Sequence, residues 1–222
     1  MAACTEYIDT FDLGQLGERF IRYRMPPMSD EDTDAMGALI LKGRDEVGID
    51  RLRRAGMVNK FFKTAMIGGS PPSLDAADEI RLTALATLAA RCRSPVVRDG
   101  FRGETIESVP AHEGPGRVLG QLANLLGGMT KIGVPEVDRW RVLSQVALDG
   151  MHPLRRKVLQ ALIEKESSMT TNSVAVACSL PTSTVRRQLE DLSAHGVILQ
   201  VSQSPEVWSV SEWTSERWWA TG

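Results

Sequence analysis

The residues best equipped for chemistry lie in one short stretch, "SLPTSTVRRQLEDLSAHGVI", residues 179–198. Thr182, Ser183 and Thr184 bring hydroxyls, Arg186 and Arg187 adjacent guanidiniums, and Gln188 an amide. On a helix capped by Thr182, with Val185, Leu189 and Leu192 turned inward, the others form an outward face. Backbone N–H groups and short hydroxyls at a helix start suit phosphate oxygens, and arginine suits either a phosphate or a guanine edge. The stretch therefore implies contact with duplex DNA in the major groove. Either arginine could read a base or hold a phosphate, and the pattern does not say which.

Other chemistry finds little support. His112, His152 and His195 are not at metal-ligand spacing, and His195 before Gly196 reads as a helix end. Cys4, Cys92 and Cys178 are odd in number, far apart and without close histidines, which fits neither a zinc site nor a disulfide framework and implies a reducing compartment. No Gly-x-Ser-x-Gly elbow occurs, and the glycines of "GGMTKIGVP" do not stand between a strand and a helix. No metal and no cofactor are expected.

Charge bounds the partners. The formal charge of −2 comes from 26 basic and 28 acidic side chains, so a nucleic-acid site must be a local patch. Residues 151–222 hold seven basic residues (Arg155, Arg156, Lys157, Lys165, Arg186, Arg187, Arg217) and seven acidic ones, a net of zero. A domain-wide basic footprint is missing. Arg155, Arg156 and Lys157 could add phosphate contacts or form an ordinary solvated helix start. A hydrophobic share of 42% can fill a core without disulfides. The sequence shows neither an eighteen-residue apolar run nor the order of a secretion signal, so a cytoplasmic, membrane-free protein is expected.

The elements that must position the arginine pair follow from periodicity. Residues 20–25 alternate apolar with basic side chains and predict a lone strand. Ser29 with Asp30, Glu31 and Asp32 predicts the capped start of a helix running through Leu41. Further helices are expected over 49–66 (Leu52, Met57, Phe61), 74–93 (Ile80, Leu82, Leu85, Leu88), 116–129 (Val118, Leu122, Leu126) and 135–147 (Val137, Trp140, Leu143). "GGSPPS", 68–73, breaks the chain, and 93–110 form a connector with a short hairpin. "DGMHP", 149–153, marks a boundary. Beyond it come a helix from Pro153 or Leu154, a second over 170–179, a Leu180-Pro181 turn, and the arginine-bearing third helix, ended by Gly196. Strands 197–201 and 207–210 joined by "SQSPE" complete the order of a winged helix-turn-helix. The wing lacks basic residues and carries Glu206, a poor phosphate clamp. Arg93 and Arg98 read as an ion-pair cluster with Asp99 and Glu104. Trp208 reads as packing, and Trp213, Trp218 and Trp219 as packing or a docking patch.

Two segments carry a family resemblance. "LGQLGERFIRYRMP", 13–26, resembles the passage after the first sensor of AAA+ motor ATPases, where an Arg-Phe pair introduces the last core strand. "EGPGRVLGQLANLL", 113–126, resembles the lid of the Holliday-junction branch-migration motor, which continues directly into a winged helix. Minichromosome-maintenance-type helicases share that order. The resemblance implies that Arg117 is a second-sensor arginine reaching the γ-phosphate of ATP, its rigid fork suiting phosphate oxygens. Pairing within its own helix is the other reading of Arg117. The chain departs from the family in lacking a Gly-x-x-x-x-Gly-Lys-Ser/Thr loop and an acidic magnesium motif, so alone it is expected to hydrolyse no ATP.

These readings converge on a mainly α protein: a helical, ATPase-lid-like domain over 1–150 and a winged helix-turn-helix over 151–222. The expected function is the DNA-binding module of a replication, recombination or mobile-element motor. Its expected partners are duplex DNA and an ATPase core or replication protein, with a homo-oligomer left open. The alternatives are a winged-helix transcriptional regulator with a helical dimerisation or sensing domain, and a non-enzymatic protein-docking adaptor.

Overall fold

A computed structural model describes residues 22–25, 28–42, 47–66, 73–99 and 105–219. It is mainly helical, with two small antiparallel sheets. The "GERF" passage, Cys4, Glu104 and most of "GGSPPS" lie outside the described residues.

Helix α1, Asp30–Lys42, opens as its sequence requires: Ser29 Oγ accepts the Asp32 N–H at 3.0 Å, and three acidic residues sit in the first turn. Helix α2 spans Val47–Met66. Along both helices the large apolar side chains stand in solvent, among them Leu39, Ile40, Leu41, Leu52 and Met57. Helix α3, Ala76–Cys92, is capped by Asp75, whose carboxylate accepts the Asp78 N–H at 2.7 Å.

The C-terminal part of α3 faces one core and most of its length another. Leu82, Leu85, Ala86, Ala89 and Ala90 pack with Val118, Leu122 and Leu126 of α4 (Gly116–Lys131) and with Trp140, Leu143 and Val146 of α5 (Glu136–Asp149). Leu88 and Cys92 instead join the cluster formed by the C-terminal elements. Two expected core residues are not in the core. Ile80 and Val137 lie on the solvent side of their helices, because the buried stripes run through Leu82 and Trp140.

The strand expected over 20–25 does not form in its described part. Residues 22–25 are extended but pair with no strand among the described residues, and the alternation runs opposite to the expected sense. Tyr23 and Met25 are exposed while Arg22 and Arg24 are half-buried. The segment is strapped across the end of α5 by polar bonds. Arg24 N–H donates to Asp149 Oδ2 at 2.6 Å, and Gln145 Nε2 donates to Arg24 O at 2.9 Å. Asp149, fully buried, also pairs with Arg156.

Strands β1 (Val97–Arg98) and β2 (Ile106–Ser108) pair antiparallel in the connector, as its β-branched residues predict. The C-terminal elements are α6 (Pro153–Lys165), β3 (Met169–Thr170), α7 (Thr171–Cys178), α8 (Thr182–Ala194), β4 (Ile198–Gln203), β5 (Glu206–Val210) and α9 (Glu212–Trp219). The second sheet has the order β3-β5-β4, all antiparallel, with Met169 opposite Trp208 and Ile198 opposite Val210. Val158, Leu159, Leu162, Val174, Val185, Leu189, Leu192, Ile198 and Trp208 fill the core beneath it. Strand β3 and helix α9 are absent from the sequence reading.

Helix α8 ends as its sequence predicts. Gly196 takes φ +67, Val197 N–H bonds back to Leu192 O at 3.0 Å, and β4 starts two residues on. A side chain there is strained whatever the space around it. Gly196→Ala is expected to cost about 1–2 kcal/mol, lowering Tm by roughly 2–4 °C per kcal/mol for a chain of this size. Differential scanning calorimetry checks this, and an unchanged Tm would mean that the turn relaxes to negative φ.

Candidate nucleic-acid interface

The turn from α7 into α8 is built by local chemistry. Ser179 ends α7 in the left-handed region at φ 50, with its N–H on the Ala175 and Val176 carbonyls, and Pro181 then fixes the entry to α8. Thr182 is not the cap. The cap position is Pro181, which has no side-chain hydrogen to lend or oxygen to accept with, and Thr182 is the first helical residue. Pro181 O accepts the Val185 N–H at 3.1 Å, which leaves the earlier N–H groups of this turn with no carbonyl of the helix to reach.

Val185, Leu189 and Leu192 are buried, as the spacing requires. Thr182, Ser183, Arg186 and Arg187 are exposed, and Thr184 and Gln188 are half-buried. One helix thus brings the six sequence-selected residues together around its first two turns. Arg117 sits on α4, where Glu113 Oε1 lies 3.4 Å from its Nε, and that same carboxylate holds Arg93 Nη2 at 2.7 Å.

Arg186 meets the β4–β5 hairpin. Its Nε donates to Glu206 Oε2 at 3.0 Å. The same oxygen accepts the Thr171 hydroxyl at 2.8 Å, and Thr171 Oγ1 in turn accepts the Trp208 indole N–H at 2.9 Å. Trp208 is buried in the core, as expected, so Arg186 stands at the outer end of a bonded chain that begins in the core.

The inner side of α8 is held by ions that the sequence reading placed elsewhere. Arg98 pairs not as expected within its own connector but with α8: Nη2 to Asp191 Oδ1 at 2.7 Å, to Glu190 Oε2 at 2.9 Å, and to the Arg187 carbonyl at 3.2 Å. Burial alone would lower the Arg98 pKa, but bonds to Asp191 and Glu190 outweigh it and hold the guanidinium above its ordinary value. Arg155 fits neither reading given to the Arg155-Arg156-Lys157 run. It is 8% exposed and donates to Cys92 O at 3.1 Å, Ser94 O at 2.7 Å and Asp191 Oδ2 at 3.0 Å. Of the three, Lys157 alone is solvated, since Arg156 turns to Asp149.

Beyond α8, His195 Nε2 lies 3.0 Å from Pro95 O. Burial pushes the imidazole pKa down, so the ring is neutral near pH 7 and its N–H donates to that carbonyl. Trp213 and Trp218 pack against the C-terminal core. Arg91 and Arg217 both lie over the Trp213 ring, at 3.7 and 4.2 Å, contacts worth about 0.5–2 kcal/mol each. Burial pushes the Cys92 thiol up to about 12, which leaves it protonated and unfit as a nucleophile.

Among the described residues no group of three or more His, Cys, Asp or Glu gathers at metal-binding distance, and no helix is long and apolar enough to cross a membrane. No protein-family model, no curated protein and no solved structure matches the chain.

Proposed function

We propose that residues 151–222 form a winged helix-turn-helix that contacts duplex DNA with the first turns of α8, β4 and β5 being its wing. The supporting observation is the exposed, side-chain-uncapped start of α8, where Thr182, Ser183, Arg186 and Arg187 stand in solvent beside N–H groups pointing out of the helix end. The wing adds no cation, so affinity rests on few phosphate contacts. On a duplex of mixed sequence, fluorescence anisotropy should show weak binding at low salt that fades as salt rises to physiological strength. Absence of binding at low salt would leave the protein-docking adaptor as the better reading.

In this proposal the helical part over 1–150 is the lid-like partner of an ATPase core carried elsewhere, and Arg117 its candidate sensor. Division at residue 150 is then one of function, since the C-terminal half of α3 packs with both parts. The regulator reading has its own supporting observation. Met36, Leu39, Ile40 and Leu41 of α1, and Leu52, Met57, Val58 and Phe61 of α2, are exposed. Such apolar surface suits a dimerisation element, and a stable dimer bound to a palindromic duplex would favour that reading.

A further inference from the structure

We infer that the two arginines of α8 have different tasks: Arg186 reads a guanine of a G·C pair, and Arg187 holds a phosphate. This inference rests on the DNA-binding reading of α8.

Their surroundings differ. Arg186 is half exposed, and its contact with Glu206 runs through Nε alone. A guanidinium held at Nε by a carboxylate keeps both terminal nitrogens directed away from that carboxylate, and these form the fork that matches guanine O6 and N7. Glu206 is itself held, its side chain 28% exposed and its Oε2 bonded to the Thr171 hydroxyl, which is anchored by the buried Trp208 indole. Fixing a long side chain before binding removes the entropy cost of ordering it in the groove. Directional readout of a base edge needs such fixing, whereas a phosphate contact does not.

Charge leads to the same assignment. Glu206 neutralises Arg186, which weakens its pull on the phosphate chain but leaves its hydrogen-bond geometry intact. Arg187, the next residue, has no carboxylate of the wing against it in the contacts given for Glu206 and is exposed on the outer face of α8. Its own carbonyl is bound by Arg98, which ties this turn of the helix to β1. Glu206 is therefore a positioning residue of the interface. It holds Arg186 for a base at the expense of non-specific affinity.

The test uses the full chain. Duplexes enriched from a random pool on the wild-type protein should share one G·C pair, and changing that pair to A·T should weaken binding about 5- to 150-fold. Arg186→Ala should remove that discrimination while leaving binding to unselected duplex nearly intact. Arg187→Ala should weaken all duplexes alike. Glu206→Gln and Glu206→Ala should both strengthen binding to unselected duplex and reduce the preference for the G·C pair, with the alanine variant showing the larger change. Arg186→Ala is a surface change that leaves the core untouched, so it reports even if a Glu206 variant folds poorly. Uniform weakening in Arg186→Ala, or an unchanged preference in a folded Glu206→Ala protein, overturns the assignment while the DNA-binding reading survives. Failure of the wild type to bind any duplex at low salt overturns both.

Discussion

Replacing Asp191 with alanine is expected to destabilise the fold by about 3–5 kcal/mol, a large part of the roughly 5–15 kcal/mol that holds a domain together. Its carboxylate serves two guanidiniums at once, Arg98 on Oδ1 and Arg155 on Oδ2. The side chains of all three are only 10–13% exposed, so water cannot take over the lost bonds. Arg98 keeps Glu190 as a partner. Arg155 keeps only the carbonyls of Cys92 and Ser94, and its positive charge is then buried without a counterion. Urea denaturation followed by circular dichroism should show the midpoint fall without a change in slope. Adding Arg155→Met to the same variant should recover part of the loss, because the uncompensated charge goes with it. A loss below about 1 kcal/mol would show the triad to be no stronger than a surface ion pair.

Replacing Arg186 and Arg187 together with alanine is expected to abolish measurable duplex binding at moderate salt. The phosphate contact assigned to Arg187 accounts for a reduction of about 0.9 in the salt slope of log K, and the base contact assigned to Arg186 for roughly 1–3 kcal/mol at one sequence position. A further effect adds to these. Once Arg186 is gone, the Glu206 carboxylate faces the duplex with no cation beside it, and the interface becomes repulsive. Anisotropy titrations from low to moderate salt measure all three effects. Binding left unchanged by the double substitution would show that α8 does not enter the groove.

What the sequence made legible was periodic. Val185, Leu189 and Leu192 mark one face of α8, and Leu82, Leu85 and Leu88 one face of α3, because burial repeats at the helical period whatever the partner is. The turn chemistry of Ser29 and Gly196 was legible for a similar reason, since caps and left-handed turns are set by neighbours in the chain. Partners far along the chain were not. Asp191 is 36 residues from Arg155 and 93 from Arg98, and no local pattern marks a buried arginine apart from a solvated one. Strand β3 is two residues long and exists only because β5 runs beside it, so periodicity had nothing to register. Helix α9 was hidden by its composition, as tryptophans among charged residues suit packing and docking equally well. Among the candidate site residues, the face of α8 was legible, whereas the bond that separates Arg186 from Arg187 depends on where the hairpin folds back.

The sharing of α3 between two cores sets an order of events during synthesis. Its first partners, α4 and α5, are made soon after it, and the cluster around Leu122 and Leu143 can close while translation continues. The end of α3 has to wait. Arg91 meets its tryptophan at position 213, more than a hundred residues later, and Leu88 and Cys92 find their neighbours among elements made in that interval. Until then a growing chain on the ribosome carries an unsheltered leucine, a reduced thiol and the groove that will receive Trp213. A nascent chain stalled before α9 would offer that end of α3 to chaperones, and release from them would depend on the arrival of a single tryptophan-bearing turn.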